Sequence, residues 1–235
     1  MMKKNPKVCS RFVQRTDIVA GLISFRFMTR LNVAILLFAD VEVLDFAGPF
    51  EVFSRTRLTP GVESRRSNDS APFRVFTVAK SKEKILATGG LMVLPDHSFY
   101  DHPKIDVLIV PGGFGTRSLL KDKETLDWIR KVSGETTLTA SVCTGALLLT
   151  NAELLNDLEA TTHWGAIDLL ESINQNGGHK MKVHRDRRFV DSGKILTSAG
   201  VSAGIDMSLY IVERLFGKNV ADETATYIEY PRPQS

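Results

Sequence analysis

The sequence predicts an open, mostly parallel α/β sandwich, because apolar runs of strand length alternate with helix-patterned segments along most of the chain. Two of those runs, residues 31–39 (LNVAILLFA) and 106–110 (DVLIV), lack the in–out alternation of a half-exposed sheet. Continuous apolar runs of that length are typical of parallel strands covered on both faces. A third, residues 138–149 (LTASVCTGALLL), reads as a buried strand turning sharply into a helix, with Cys143 at the turn.

Taken in order, residues 1–30 carry seven basic side chains and one acid (Asp17) without a strong period. This stretch is read as an extension outside the fold, compatible with a transit peptide or with a true start at Met28. The strand at 31–39 leads through Asp40–Asp45 and Gly48-Pro49 into a helix over 50–57, where Phe50 and Phe53 share a face. Residues 58–72 are polar, with Pro, Gly, Ser and Asn, and form a loop. A strand over 73–79 and a hairpin over 85–95, centred on Gly89-Gly90, precede the strand at 106–110. The latter ends in the glycine-rich turn Pro111-Gly112-Gly113-Phe114-Gly115. An amphipathic helix spans 118–133. After the Cys143 elbow come a β-like piece at 160–164 (ATTHW) leading into a helix through Ser172, and two strands over 183–191 and 194–197. A small-residue loop at 198–204, a helix over 205–216 and a last helix over 221–230 complete the chain.

Composition bounds the function. The 235 residues carry a net charge of +3, and without the basic extension the remainder is mildly acidic, which gives no support to nucleic-acid binding. With only two cysteines, Cys9 and Cys143, there is no disulfide framework, and a reducing, cytoplasmic setting is expected. No apolar run approaches the roughly 20 residues of a membrane span.

The candidate chemistry gathers where strands end, since open α/β sheets bind ligands at the carboxyl ends of their strands. An elbow cysteine beside backbone N–H groups and a helix N-terminus is suited to ionise and attack. The alternative is an inert core cysteine. Asp45 is either a helix cap or a site carboxylate. The glycine turn lacks the Lys-Ser/Thr of a phosphate loop, so the closer reading is bare backbone approaching another group, as an oxyanion donor does. The histidines outside the ATTHW motif (His97, His102, His179, His184) have no paired metal-ligand spacing, and neither a metal nor a cofactor is expected. Trp164, Phe46 and Phe50 are candidates for an apolar pocket wall, with plain core as the alternative.

The motifs LLFADVEVLDFAGPFEVF, VLIVPGGFG, SVCTGALLL, ATTHW and ILTSAGVSAGIDMSL, in that order, resemble the ThiJ/PfpI superfamily. Its fold is a three-layer sandwich, flavodoxin-like and class I glutamine amidotransferase-like. The resemblance covers residues 31 to about 231 and implies a single domain over 31–235. Leu44-Asp45 with Gly48-Pro49, and Cys143-Thr144-Gly145, look most like isonitrile hydratases and the sensing halves of certain regulators. It implies Cys143 as nucleophile, Asp45 as the acidic partner of its sulfur, and Gly113 (with Gly112) and the Thr144 N–H as an anion hole. The Thr144 hydroxyl is implicated in activity. His163 lies where other members have a histidine near the cysteine; a loop-fixing role is the alternative. Thr144 replaces the histidine that follows the nucleophile in PfpI-type peptidases, which speaks against proteolysis. A second departure is Leu155-Asn156-Asp157-Leu158, where relatives usually have glycine after the acidic turn residue; it is expected to affect a surface turn and not the site. The implied reaction is hydration of an isocyanide to an N-substituted formamide through a thioimidate on Cys143, with Asp45 as acid or as the group that activates water. The rival readings are a ligand- or redox-sensing module and an enzyme acting on α-oxoaldehydes. The resemblance also implies a small-molecule substrate and a homodimer.

Overall fold

A computed structural model describes residues 29–232; all but the last two residues of the basic extension, Cys9 included, lie outside the described residues. The strands are β1 (Leu31–Leu36), β2 (Phe73–Ala79), β3 (Ile85–Leu86), β4 (Met92–Val93), β5 (His97–Ser98), β6 (Val107–Val110), β7 (Leu138–Val142), β8 (Glu159–Ala160), β9 (Lys182–Val183), β10 (Phe189–Ser192) and β11 (Ile195–Ser198). The helices are α1 (Val43–Arg55), α2 (Thr116–Leu119), α3 (Lys123–Glu135), α4 (Gly145–Asn151), α5 (Ile167–Gly177), α6 (Ala203–Phe216) and α7 (Lys218–Tyr227).

Seven strands form one sheet in the order β10-β11-β7-β6-β1-β2-β5, parallel throughout except for the antiparallel edge strand β10. Helices α1, α6 and α7 pack together on one face, and α2 to α5 on the other. The central strands are buried on both sides, with Val33 to Leu37, Val107 to Val110 and Leu138 to Val142 all essentially inaccessible to water. That explains their uninterrupted apolar runs. The chain crosses from β1 to β2 in one direction and to β6 in the other. Loops leaving β1 and β6 therefore diverge, opening the crevice in which such sheets bind ligands.

Several element boundaries differ from the sequence reading, each for a local reason. Helix α1 begins at Val43, seven residues earlier than expected, and takes Gly48 and Pro49 into its interior. Proline removes only its own N–H, whose partner would be the Asp45 carbonyl, so the helix passes through it. Gly48 lets α1 approach α6: a Cβ there would stand 3.0 Å from Ile205 Cγ1. The helix expected over 118–133 is two helices, because Asp122 caps α3 by accepting from the Thr125 N–H at 3.1 Å. The strand expected over 183–191 is interrupted at the charged run His184–Arg188, which has no apolar face to bury. The hairpin over 85–95 is present as β3 and β4, whereas β5, only two residues long, has no sequence signature. Asp157, in the turn between α4 and β8, adopts φ 60°, a conformation aspartate tolerates better than most residues.

Gly145 marks the tightest junction between the sheet and α4, since a Cβ there would lie 2.1 Å from the Val110 carbonyl oxygen. Gly145→Ala is expected to lower stability by about 2–3 kcal/mol, seen as a lower thermal midpoint. An unchanged midpoint would mean that α4 is free to shift.

Candidate active site

Three loops at the carboxyl end of the sheet build the site. Helix α1, following β1, places Asp45 in its first turn; the turn after β6 brings Gly112 and Gly113; the elbow after β7 presents Cys143. An isolated bridge between Val41 and Gly113, and the Glu42 N–H donating to the Gly112 carbonyl at 2.9 Å, lock the first two loops together.

Cys143 adopts φ 57°, the left-handed conformation of a strained elbow. Its N–H is shared between the Ser198 and Ala199 carbonyls at 3.2 Å each, and its carbonyl accepts from the Thr162 hydroxyl at 2.7 Å. Hydrogen bonds from two segments thus hold the strain. The Thr144 and Val201 N–H groups face the sulfur and favour its charged form. Val201 was not found by sequence reasoning. It contributes through its backbone, from a left-handed φ of 48° that a β-branched residue rarely adopts, and only that strain marks it.

Asp45 is not the cap of α1, which is Glu42; it sits in the first turn, with 0% exposure. Its Oδ2 accepts from the Gly112 N–H at 3.0 Å, while Oδ1 has no satisfied hydrogen bond of its own. The carboxyl lies against the Cys143 thiol. Burial pushes the Asp45 carboxyl up to about 7, with the Glu42 charge adding to the rise and the Gly112 N–H opposing it. Burial likewise pushes the Cys143 thiol up to about 12, followed by the negative charge of Asp45. This reverses the expectation of an elbow that favours thiolate. Desolvation outweighs the two N–H groups as long as Asp45 is charged. When Asp45 holds the proton that repulsion disappears, so the ionisations of the two groups are coupled.

Gly112 and Gly113 are required by contact. A Cβ on Gly112 would meet the Thr144 nitrogen at 2.5 Å and Asp45 Oδ2 at 2.8 Å; on Gly113, at φ 130°, it would meet the Asp40 carbonyl at 2.3 Å. The Gly113 N–H donates to Thr144 Oγ1 at 3.0 Å, and the Thr144 hydroxyl returns a bond to the Gly113 carbonyl at 3.2 Å. In this structure the Gly113 donor is therefore engaged by Thr144, and the N–H groups around the sulfur come from Thr144 and Val201.

A cavity of about 240 Å³ opens in front of Cys143, lined by Thr144, Gly113, Val201, His163, Glu42, Phe114 and Arg117 among others. His163 reaches it with Nδ1 accepting from the Gly165 N–H at 3.1 Å, which leaves Nε2 as the donor of the neutral ring. The ring also packs on Gly200, next to Val201; a Cβ there would fall 2.1 Å from His163 Cδ2. His163 thus both lines the cavity and braces the Val201 loop. The aromatic wall differs from expectation. Phe46 belongs to the core, Phe50 is on the outer side of α1, and Trp164 is 82% exposed beside the His163 ring. Phe114, 72% exposed, lines the cavity instead. Among the described residues no cluster of three or more His, Cys, Asp or Glu is arranged to hold a metal ion, and no helix is long and apolar enough to cross a membrane.

A cysteine elbow at the switch point of a flavodoxin-like sheet, backed by a buried acid, defines a class, and the chain belongs to it: the DJ-1/PfpI family model matches residues 31–214. Among curated proteins, the chain is 35% identical over 204 residues to an isonitrile hydratase of Pseudomonas putida, covering 86% of this chain and 80% of that one. It is 30% identical over 149 residues to the HTH-type transcriptional regulator CdhR of Pseudomonas aeruginosa, covering 63% of this chain but 43% of the regulator. Among solved structures, a ThiJ/PfpI family protein from Pseudomonas syringae superimposes with a TM-score of 0.74 at 27% identity, covering 94% of this chain and 84% of that one. Drosophila melanogaster DJ-1beta shares the fold at a TM-score of 0.70 and 20% identity, over 87% of this chain and all of that one.

The raised Asp45 carboxyl has a linkage consequence. The folded state holds a proton that the unfolded chain releases near pH 4, so stability falls between about pH 4 and about pH 7 and then levels. The thermal midpoint of Asp45→Asn is expected to exceed that of wild type by a margin that widens over this range. A pH-independent margin would mean that Asp45 ionises normally in the folded protein.

Proposed function

We propose that the protein is a cysteine-dependent hydratase that converts a small isocyanide and water into an N-substituted formamide. The observation that carries this reading is the fully buried Asp45 carboxyl held against the Cys143 thiol, which itself lines an open cavity. The similarity to an isonitrile hydratase over most of both chains supports it.

In this scheme the thiol adds across the terminal carbon of R–N≡C. A C–S bond forms, and the thiol proton ends on that carbon, giving the thioimidate R–N=CH–S–Cys143. Water then adds to the same carbon, and its displaced proton goes to nitrogen. Collapse of R–NH–CH(OH)–S–Cys143 breaks the C–S bond, releases the formamide and restores the thiol. Asp45 handles the protons: a carboxyl poised near neutrality, with Oδ1 unengaged, suits a group that takes the thiol proton, returns it to substrate and draws one from water. The Thr144 and Val201 N–H groups stabilise negative charge on sulfur. Thr144 Oγ1 orients the glycine turn that holds Asp45 in place.

A sensing module that binds a small molecule without turning it over is the second reading, supported by the similarity to a transcriptional regulator. An activity on α-oxoaldehydes would rest on His163 as base, and the Gly165 N–H already occupies its Nδ1. The exposed Leu44 and Phe50 on α1 support a homodimer packed through that helix.

Formamide release from a simple alkyl isocyanide tests the proposal. Cys143→Ala is expected to abolish turnover, and Asp45→Asn to reduce kcat at least about 100-fold. Retained turnover in Cys143→Ala would overturn the covalent route, and no turnover by wild type would favour the sensing module. Asp45→Asn also removes the charge that suppresses the thiolate. Above about pH 7 its Cys143 is expected to react faster with iodoacetamide than that of wild type, even as hydration is lost. Slower alkylation would show that Asp45 activates the thiol mainly as a base.

A further inference from the structure

The cavity in front of Cys143 carries a charged side chain that the proposed reaction does not use. Arg117, on α2, donates from Nη1 to the Gly113 carbonyl at 3.2 Å and to Thr116 Oγ1 at 3.3 Å, and its guanidinium carbon stands 5.5 Å from the centre of the Phe114 ring. These contacts anchor one edge of the guanidinium. Among the described residues Nε and Nη2 have no acceptor, and no carboxylate lies within ion-pairing distance, Glu42 in the same cavity included. Other arginines in the protein differ: Arg188 pairs with Asp206, Arg185 with Asp168 and Glu171, and Arg232 with Glu213 and Asp222.

We propose that Arg117 and the face of Phe114 form a carboxylate subsite, so that the substrate is a small isocyanide bearing a carboxylate a short distance from its nitrogen. This rests on the hydratase reading and deepens it. A planar guanidinium with an unused edge matches a carboxylate through two parallel hydrogen bonds, and part of its orientation is already fixed by the Gly113 and Thr116 contacts. Glu42 lines the same cavity and repels an anion, which restricts the carboxylate to the Arg117 end and directs the isocyano carbon toward the sulfur. At about 240 Å³ the cavity is smaller than the roughly 300 Å³ at which drug-sized pockets begin, in keeping with a compact substrate.

The test compares isocyanoacetate with its neutral methyl ester. Wild type is expected to favour the acid in kcat/KM by at least about tenfold, and Arg117→Gln to lose that preference. The same ratio in both proteins would overturn the subsite. If wild type hydrates neither compound, the hydratase reading fails, and the subsite is decided separately by alkylation of Cys143. Iodoacetate and iodoacetamide are matched in size and differ in charge. Their rate ratio is expected to fall at least about fivefold in Arg117→Gln. An unchanged ratio would overturn the inference whatever the reaction is.

Discussion

A carboxyl group shut away from water and pressed against a thiol is the constraint on which the rest of this site depends. Neither group can ionise cheaply there, and both cannot do so at once, so around neutral pH the Asp45 carboxyl gains and loses its proton while the thiol keeps its own. That arrangement is useful for a reaction that must move a proton from sulfur to substrate and then recover one from water. The same arrangement weakens the fold, because the buried carboxyl is uncompensated on Oδ1 and accepts one strong N–H on Oδ2.

Placing the pair requires much of the surrounding architecture. Asp45 reaches Cys143 because α1 starts early and passes through Pro49, and because Gly48 allows α1 to lie against α6. The glycine turn approaches so closely that Gly112 touches both Asp45 and Thr144, and the Gly113 position leaves no room for a side chain. Cys143 and Val201 both adopt left-handed backbone, and the main-chain bonds from Ser198, Ala199 and the Thr162 hydroxyl hold the elbow in that conformation. The seven-stranded sheet, rigid and buried through its centre, is what lets three loops meet to within hydrogen-bond distance at its carboxyl end.

Much of this was legible in the sequence. Central parallel strands announce themselves as continuous apolar runs, and an elbow shows as a cysteine between a β-prone run and a Leu-rich helix. Cys143, Asp45, Thr144, Gly112, Gly113 and His163 do converge on one place. What the residue types could not convey was tertiary in origin. Helix α1 runs through a Gly-Pro pair normally read as a stop, because packing on α6 outweighs the local signal. The thiol is pushed up, not down, because burial is a property of the assembled core. Val201 acts through a backbone N–H, which leaves no mark on side-chain chemistry. Phe114 reaches the cavity from the glycine turn and Arg117 from the short helix that follows it, and the other aromatic candidates, Trp164, Phe46 and Phe50, do not line it.

The most direct test of the raised Asp45 carboxyl is the infrared carbonyl band of its protonated form, isolated as the difference between wild type and Asp45→Asn and followed from about pH 5 to about pH 9. A band present at the acid end that titrates away near pH 7 is the expected result. A band already absent at about pH 5 would show Asp45 ionised like an ordinary carboxylate, and the account of a carboxyl kept protonated by burial against Cys143 would be wrong.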